Sequence, residues 1–353
     1  MYELSPKTGY HLLYAFRKSN SGGADGFLPQ GNLVFDSAGD LYGTTVDGGI
    51  KNTQCPVGCG VVFELTPAAN GQPWTETVLY RFCSQANCAD GASPQAGVIF
   101  DSSGNLYGTT LAGGNQNCQV EGSGCGTVFE LQPSQSAWTE SVLYAFTGGS
   151  AGFAPFGGLA LDVVGNVYGT TGATVFELTP GVGGQWNSTI IHYFGQGNGD
   201  GNGSVAGVIF DGAGNLYGTA AAGGQFGFGA VFELTPNGSG SWTETILYNF
   251  AGGNDGATPE SNLTRDSEGS LYGTTLYGGE TKNCNGNGCG TVFKLTSQGG
   301  RWTESLFRFT KSVADGYWPK APVLLDATGD VYGTTTSGGT EDDNFGVAFR
   351  IEQ

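Results

Sequence analysis

Short runs along the whole chain alternate apolar and polar side chains with a period near two, as in Trp242-Thr243-Glu244-Thr245-Ile246. Val, Ile, Thr, Tyr, Phe and Trp dominate them, so each run predicts a half-buried β-strand. No window carries the capped, 3.6-residue apolar spacing of an amphipathic helix. The strands fall into a repeating unit, clearest between Gly207 and Phe250. An apolar strand, Gly207–Asp211, is followed by the turn Gly212–Asn215 and a second strand, Leu216–Thr219. A glycine loop leads to a third strand, Ala230–Thr235, and Pro236 opens a polar turn into a fourth, Trp242–Phe250.

The second strand carries a Tyr-Gly-Thr core at Tyr42, Tyr107, Tyr168, Tyr217, Tyr272 and Tyr332. Each copy follows an Asp-x-x-Gly turn beginning at Asp36, Asp101, Asp162, Asp211, Asp266 or Asp326. Such a turn suits a short hairpin. Four antiparallel strands repeated six times predict an all-β, six-bladed β-propeller, one domain over 1–353. Continuous blades are expected over about 28–82, 94–146, 155–194, 204–250 and 258–309, with a composite sixth from 319–353 plus 10–16. That last blade would be closed by N- and C-terminal strands. The third-strand pattern occurs once more than the fourth, so Tyr2–Ser5 and Phe349–Glu352 compete for one place. The surplus strand reads as an extra edge, as a remnant of a longer chain, or as a strand added to a neighbouring copy. The last reading makes Tyr2, Glu3, Leu4, Ser5, Phe349, Arg350 and Ile351 candidates for self-assembly.

These repeats resemble the GloVer-type choice-of-anchor tandem repeat family of bacterial surface proteins. The resemblance is carried by Leu106–Thr110, Gly113-Gly114 and Gly126–Leu131, and by the other copies, over nearly the whole chain. It implies export and a cell-surface location, and supplies no catalytic residue. The turn and first strand are also similar to those of NHL-type propellers, which are mainly binding platforms.

Composition narrows the partners. The formal charge of −18 makes nucleic acid and anionic membranes poor partners. No apolar run approaches the roughly 18–20 residues needed to span a bilayer. Eight cysteines fall into the close pairs Cys55/Cys59, Cys83/Cys88, Cys118/Cys125 and Cys284/Cys289. Even number and close pairing predict disulfides and an oxidising compartment, because no pair has the His cluster a zinc site would use. Each would close a short loop worth about 2–2.5 kcal/mol, and is expected to stiffen that loop more than hold the fold. All four lie in loops or a crossover expected on one face, where recognition usually lives.

On the same face the crossovers carry Asp25, Asp90, Asp255 and Asp315, each before a glycine, with Asp200 a looser match. They read as ordinary turn residues or as a carboxylate ring for a hard cation. The six turn aspartates lack the dense acidic pattern of calcium loops, so capping is expected and no cofactor is implied. Loop aromatics offer surfaces for a sugar or protein: Phe27, Phe153, Phe156, Phe226, Phe228, Tyr277, Tyr317 and Trp318. His192 occupies the slot filled elsewhere by Tyr14, Tyr80, Tyr144 and Tyr248, and His11 a threonine slot, so both read as strand substitutions. The fourth-strand Glu76, Glu140 and Glu244 read as sheet surface beside Glu64, Glu130, Glu177 and Glu233. Neither a nucleophile elbow nor a His-based metal motif occurs. The expectation is a secreted, non-enzymatic scaffold that binds a glycan or protein. A self-assembling surface component and a polysaccharide-active enzyme are the alternatives.

Overall fold

The computed structural model describes residues 1–5, 9–16, 25–68, 72–118, 124–135, 137–197, 199–204, 206–238, 240–282, 284–311, 316–339 and 346–353. Among the described residues, six antiparallel sheets of four or five strands follow one another in chain order, as in a six-bladed β-propeller, with three two-stranded sheets beside them. In the first, Gly26–Pro29 and Val34–Phe35 both pair with Leu41–Gly48, followed by Val61–Thr66 and Thr75–Arg81. The second runs Ile99–Phe100, Leu106–Thr110, Thr127–Pro133, Trp138–Ala145. The third is Ala160–Leu161, Val167–Thr170, Thr174–Pro180, Trp186–Tyr193. The fourth is Ile209–Phe210, Leu216–Ala220, Ala230–Pro236, Trp242–Asn249. The fifth is Thr264–Arg265, Leu271–Thr275, Thr291–Gln298, Arg301–Arg308. In the sixth, Leu324–Leu325 and Tyr317–Pro319 pair with Val331–Ser337, which pairs in turn with Ala348–Ile351.

The chain packs as two compact units, residues 1–167 with 178–188, and residues 168–177 with 189–353. Among the described residues the only helical segments are three-residue 3-10 turns, and no helix is long and apolar enough to cross a membrane. The two rival third-strand segments each have their own partner. Tyr2–Ser5 forms a hairpin with Gly9–Leu12, and Ala348–Ile351 pairs with Val331–Ser337.

The repeated Tyr-Gly-Thr core does three separate jobs. The tyrosine hydroxyl donates back to the turn aspartate, at 3.3 Å for Tyr107 to Asp101 and 3.1 Å for Tyr272 to Asp266. The same aspartate caps the turn, Asp101 Oδ1 accepting from the Ser103 and Asn105 amides. The glycine lies opposite the third-strand phenylalanine, Gly108 against Phe129 and Gly273 against Phe293, and leaves room for its ring. The threonine hydroxyl latches onto a backbone carbonyl beside the next sheet: Thr44 to Ala96 at 2.7 Å, Thr170 to Ala206 at 2.6 Å, Thr274 to Ala321 at 3.2 Å.

Between sheets the seal is aromatic. The phenylalanine that ends a fourth strand meets the third-strand phenylalanine of the next sheet edge to face. Centroids lie 5.0 Å apart for Phe82/Phe129, 5.2 Å for Phe250/Phe293 and 5.0 Å for Phe309/Phe349. Phe16 packs on Phe63 in the same way at 4.9 Å, so Leu12–Phe16 serves the first sheet as a preceding fourth strand would. Most of these rings are among the largest fully buried side chains, and dispersion among them holds neighbouring sheets together.

The crossovers share one strained position. Leu28, Ser93, Ala154, Thr258 and Trp318 have φ between 50° and 60°, where the corresponding residue in another crossover is Gly203. Amides hold it in place: Thr258 N–H donates to Phe228 O at 2.9 Å and Trp318 N–H to Cys289 O at 2.8 Å. A β-branched residue with positive φ is an outlier, so Thr258→Gly is expected to stabilise by about 0.5–1 kcal/mol. Urea unfolding checks this. A lower midpoint would mean that Thr258 side-chain contacts outweigh the backbone strain.

Candidate functional site

Asp25, Asp90 and Asp255 are each built into a buried junction. Each meets the fourth-strand tyrosine before it and the fourth-strand glutamate of the sheet after it. Tyr80 donates to Asp90 at 2.8 Å and to Glu140 at 3.4 Å. Tyr248 donates to Asp255 at 3.2 Å and to Glu304 at 2.7 Å. Tyr14 donates to Asp25 at 3.0 Å, and Asp25 faces Glu76. Two carboxyl groups held together away from water cannot both ionise freely. Burial first and the adjacent aspartate second push Glu76 and Glu140 up to about 7. Glu304 is pushed up to about 8, chiefly by burial, with Asp255 adding to it.

One junction breaks the pattern. His192, on the strand Trp186–Tyr193, stands where the siblings have tyrosine. Its Nε2 lies 3.5 Å from Asp200 Oδ1 and 3.5 Å from Glu244 Oε1. The three side chains are only 14%, 9% and 17% exposed. None of these three facing atoms has a hydrogen-bond partner. Asp200 is held by its other oxygen, which accepts from the Gln196 amide at 2.8 Å. The imidazole is wedged by Phe194, edge-on at 4.9 Å, and stacked over Phe232 at 6.5 Å. Burial lowers the His192 pKa against the pull of Asp200, so the ring is neutral near pH 7. Burial and then Asp200 raise Glu244 to about 7.

The trio borders an open depression of about 640 Å³, lined also by Gln196, Gln225 and Asn249. The Gln225 backbone N–H donates to Asn249 Oδ1 at 2.7 Å. Next in the chain come Phe226 and Phe228, which are 52% and 45% exposed. An imidazole, two carboxyl groups and three side-chain amides thus line one depression.

The other expected residues fall elsewhere. Asp25, Asp90 and Asp255 are each committed to a local tyrosine, and among the described residues none joins a three-residue ligand group. Asp315 lies outside the described residues. Phe27 and Tyr277 are half-buried in crossover strands, opposite Asp47 and Ala257. Trp318 is half-buried and donates Nε1–H to Gly288 O at 3.2 Å. Of the loop aromatics, Phe226 and Phe228 are the well-exposed ones. Among the assembly candidates, Tyr2, Glu3, Leu4 and Ser5 pair with Gly9–Leu12, Phe349 packs on Phe309, Arg350 binds Asp330, and Ile351 lies opposite Val331.

The cysteines are bonded in the expected pairs, Cys55–Cys59, Cys83–Cys88, Cys118–Cys125 and Cys284–Cys289. The first two bonds also meet, with Cys55 Sγ 3.8 Å from Cys83 Sγ, which ties the loop after the second strand to the following crossover.

One half of three of the disulfides is built into the core. Cys59, Cys125 and Cys289 are fully buried, each just before a third strand. Their backbone carbonyls accept the amides of the strained crossover residues, Ser93 to Cys59 at 2.8 Å, Ala154 to Cys125 at 2.9 Å and Trp318 to Cys289 at 2.8 Å. Glu76, Glu140 and Glu244 are not open sheet surface, because the preceding crossover covers that side of the fourth strand. His192 is also more than a strand substitution, since its slot is faced by two carboxyl groups.

Solved structures share the fold at low identity. Virginiamycin B lyase from Staphylococcus aureus aligns with a TM-score of 0.52 and 13% identity over 92% of this chain and 84% of that one. A PL25 ulvan lyase bound to a GlcA–Rha3S polymer gives 0.55 at 10% identity, covering 92% and 81%. A putative 6-phosphogluconolactonase from Bacteroides uniformis gives 0.51 at 12%, covering 98% and 92%. These likenesses support the propeller fold and no activity, and the six blades are counted from the sheets of this chain. No curated protein matches the sequence. The model of the Gloeobacter/Verrucomicrobia repeat matches residues 1–173 and again 171–353, and with its Tyr-Gly-Thr units running through both copies the chain belongs to that repeat family.

Proposed function

We propose that the protein is an extracellular, non-enzymatic binding module that takes a neutral glycan in the depression beside His192. The observation that carries this reading is the set of side-chain amides lining the depression, Gln196, Gln225 and Asn249, with the exposed Phe226 and Phe228 rings following Gln225 in the chain. Amides exchange directional hydrogen bonds with vicinal hydroxyls, and a flat ring covers the apolar face of a pyranose. The net charge of −18 favours an uncharged polymer over a polyanion. Four disulfides fit an oxidising compartment outside the cytoplasm.

A panel of neutral and acidic polysaccharides, screened on an array and followed by calorimetry, tests it. Binding to a neutral member is expected. Phe226→Ala or Gln225→Ala should weaken it about tenfold, since each removes a contact worth ~1–1.5 kcal/mol. Silence across the panel, or affinity indifferent to both substitutions, would sink the reading.

A further inference from the structure

We propose that His192, Asp200 and Glu244 form a binding site for a divalent transition-metal ion, with zinc the best chemical match. This goes beyond the glycan reading and does not depend on it.

At the sibling junctions a tyrosine hydroxyl sits between the two carboxyl groups and gives its one hydrogen to them, as Tyr248 does for Asp255 and Glu304, while one oxygen of Glu304 stays without a partner. At the fourth junction the phenol is absent. His192 Nε2 takes its place 3.5 Å from each carboxyl oxygen, beyond hydrogen-bond contact. Asp200 is more than nine-tenths buried and its Oδ1 has no partner, yet its Oδ2 is fixed by the Gln196 amide. Leaving such an oxygen without a partner costs free energy, so a buried polar group of this kind calls for an occupant.

The spacing identifies the occupant. Ligand atoms about 2.0–2.1 Å from a tetrahedral zinc lie about 3.3–3.4 Å from one another. Two edges of the trio measure 3.5 Å, and all three donor atoms lie within 4.8 Å of one another. One imidazole nitrogen with two carboxylate oxygens is a donor set for a first-row transition ion, whereas calcium or magnesium would want more oxygens. The carboxylate held by a backbone amide and the ring packed against Phe194 and Phe232 hold the donors in position before any ion arrives.

Calorimetric titration of the chelator-washed, oxidised full-length protein with zinc chloride, without sugar, tests the proposal. One zinc per chain is expected. His192→Tyr installs the side chain of the sibling junctions and should keep the melting temperature of the metal-free protein. It should weaken zinc binding at least 10–100-fold, since loss of even an outer-sphere partner costs that much. Asp200→Asn, nearly isosteric, should do the same. The converse variant, Tyr248→His, should add a second equivalent by recreating the donor set with Asp255 and Glu304. No zinc bound by the wild type, or zinc bound equally by His192→Tyr and Asp200→Asn, overturns the assignment. Zinc binding by a protein that ignores every glycan would leave this site standing and remove only the glycan reading.

Discussion

Gly108→Ala is expected to destabilise the protein by about 2–3 kcal/mol, although it adds one methyl group to a strand. Gly108 lies directly opposite Phe129, and a Cβ built on it would sit 2.5 Å from Phe129 Cζ, 2.8 Å from Cε1 and 3.2 Å from Val98 Cγ1. The ring has nowhere to go. Phe129 is fully buried and pressed edge-on by Phe82 at 5.0 Å, so relief requires the two sheets to part or the ring to leave its rotamer. The control is Gly104→Ala in the preceding turn. That glycine has φ +85° and open space around it, so only the left-handed conformation opposes the change, at about 1 kcal/mol. Pairing Gly108→Ala with Phe129→Leu removes the ring atoms that the new methyl would strike. Denaturant melts should therefore show the double variant less damaged than the sum of the singles, with a coupling of about 1–2 kcal/mol. Additive losses would mean that Gly108 is needed for a reason other than the ring.

The same pair of residues shows why the fold was legible in the chain. Tyr-Gly-Thr is a dense motif because each of its members has a different neighbour: Asp101 for Tyr107, Phe129 for Gly108, and Gly157 for Thr109. Short-range pairs were legible for the same reason, as in the four disulfides whose partners lie within seven residues. The crossover contacts were less so, since the Ala154 amide reaches the Cys125 carbonyl from a crossover that spacing alone does not bring near. The junctions were not legible. Glu244 meets His192 from the following repeat, and strand alternation alone placed it on an outward face. That face is outward for an isolated sheet and covered in a stack, since a crossover packs over it. One signal was available. His192 is the break in a column otherwise filled by Tyr14, Tyr80, Tyr144 and Tyr248, and a break in a repeat marks a place where the common constraint has been replaced. Recognising it required knowing that two carboxyl groups face that column.

Those carboxyl groups also set the pH response. Thermal stability is expected to fall as pH rises from 5 to 9, with a drop in Tm of roughly 5 °C. Glu304 is raised to about 8 in the folded chain, and Glu76 and Glu140 to about 7, from an ordinary value near 4.5. The folded state therefore holds protons that the unfolded chain releases. That contribution is fully present below about pH 4.5 and is lost as pH rises through 7 to 8. The turn aspartates act in the opposite sense at the acid end. Asp211 is held below its ordinary range by hydrogen bonds from the Asn215 and Ala213 amides, which outweigh its burial, and Asp266 similarly by Ser270. Their contribution is present above the ordinary aspartate value and fades as pH falls below it, so the stability maximum should lie between about pH 4.5 and 6. Glu304→Gln separates the junction from general charge repulsion. Its amide can donate toward Asp255 as the protonated acid does, but it cannot ionise. The variant should match the wild type at pH 5, melt above it at pH 8.5, and show a shallower slope between. A wild-type Tm that is flat or rising over this range, or a variant with an unaltered slope, would place the protons elsewhere than at the Tyr248–Asp255–Glu304 junction.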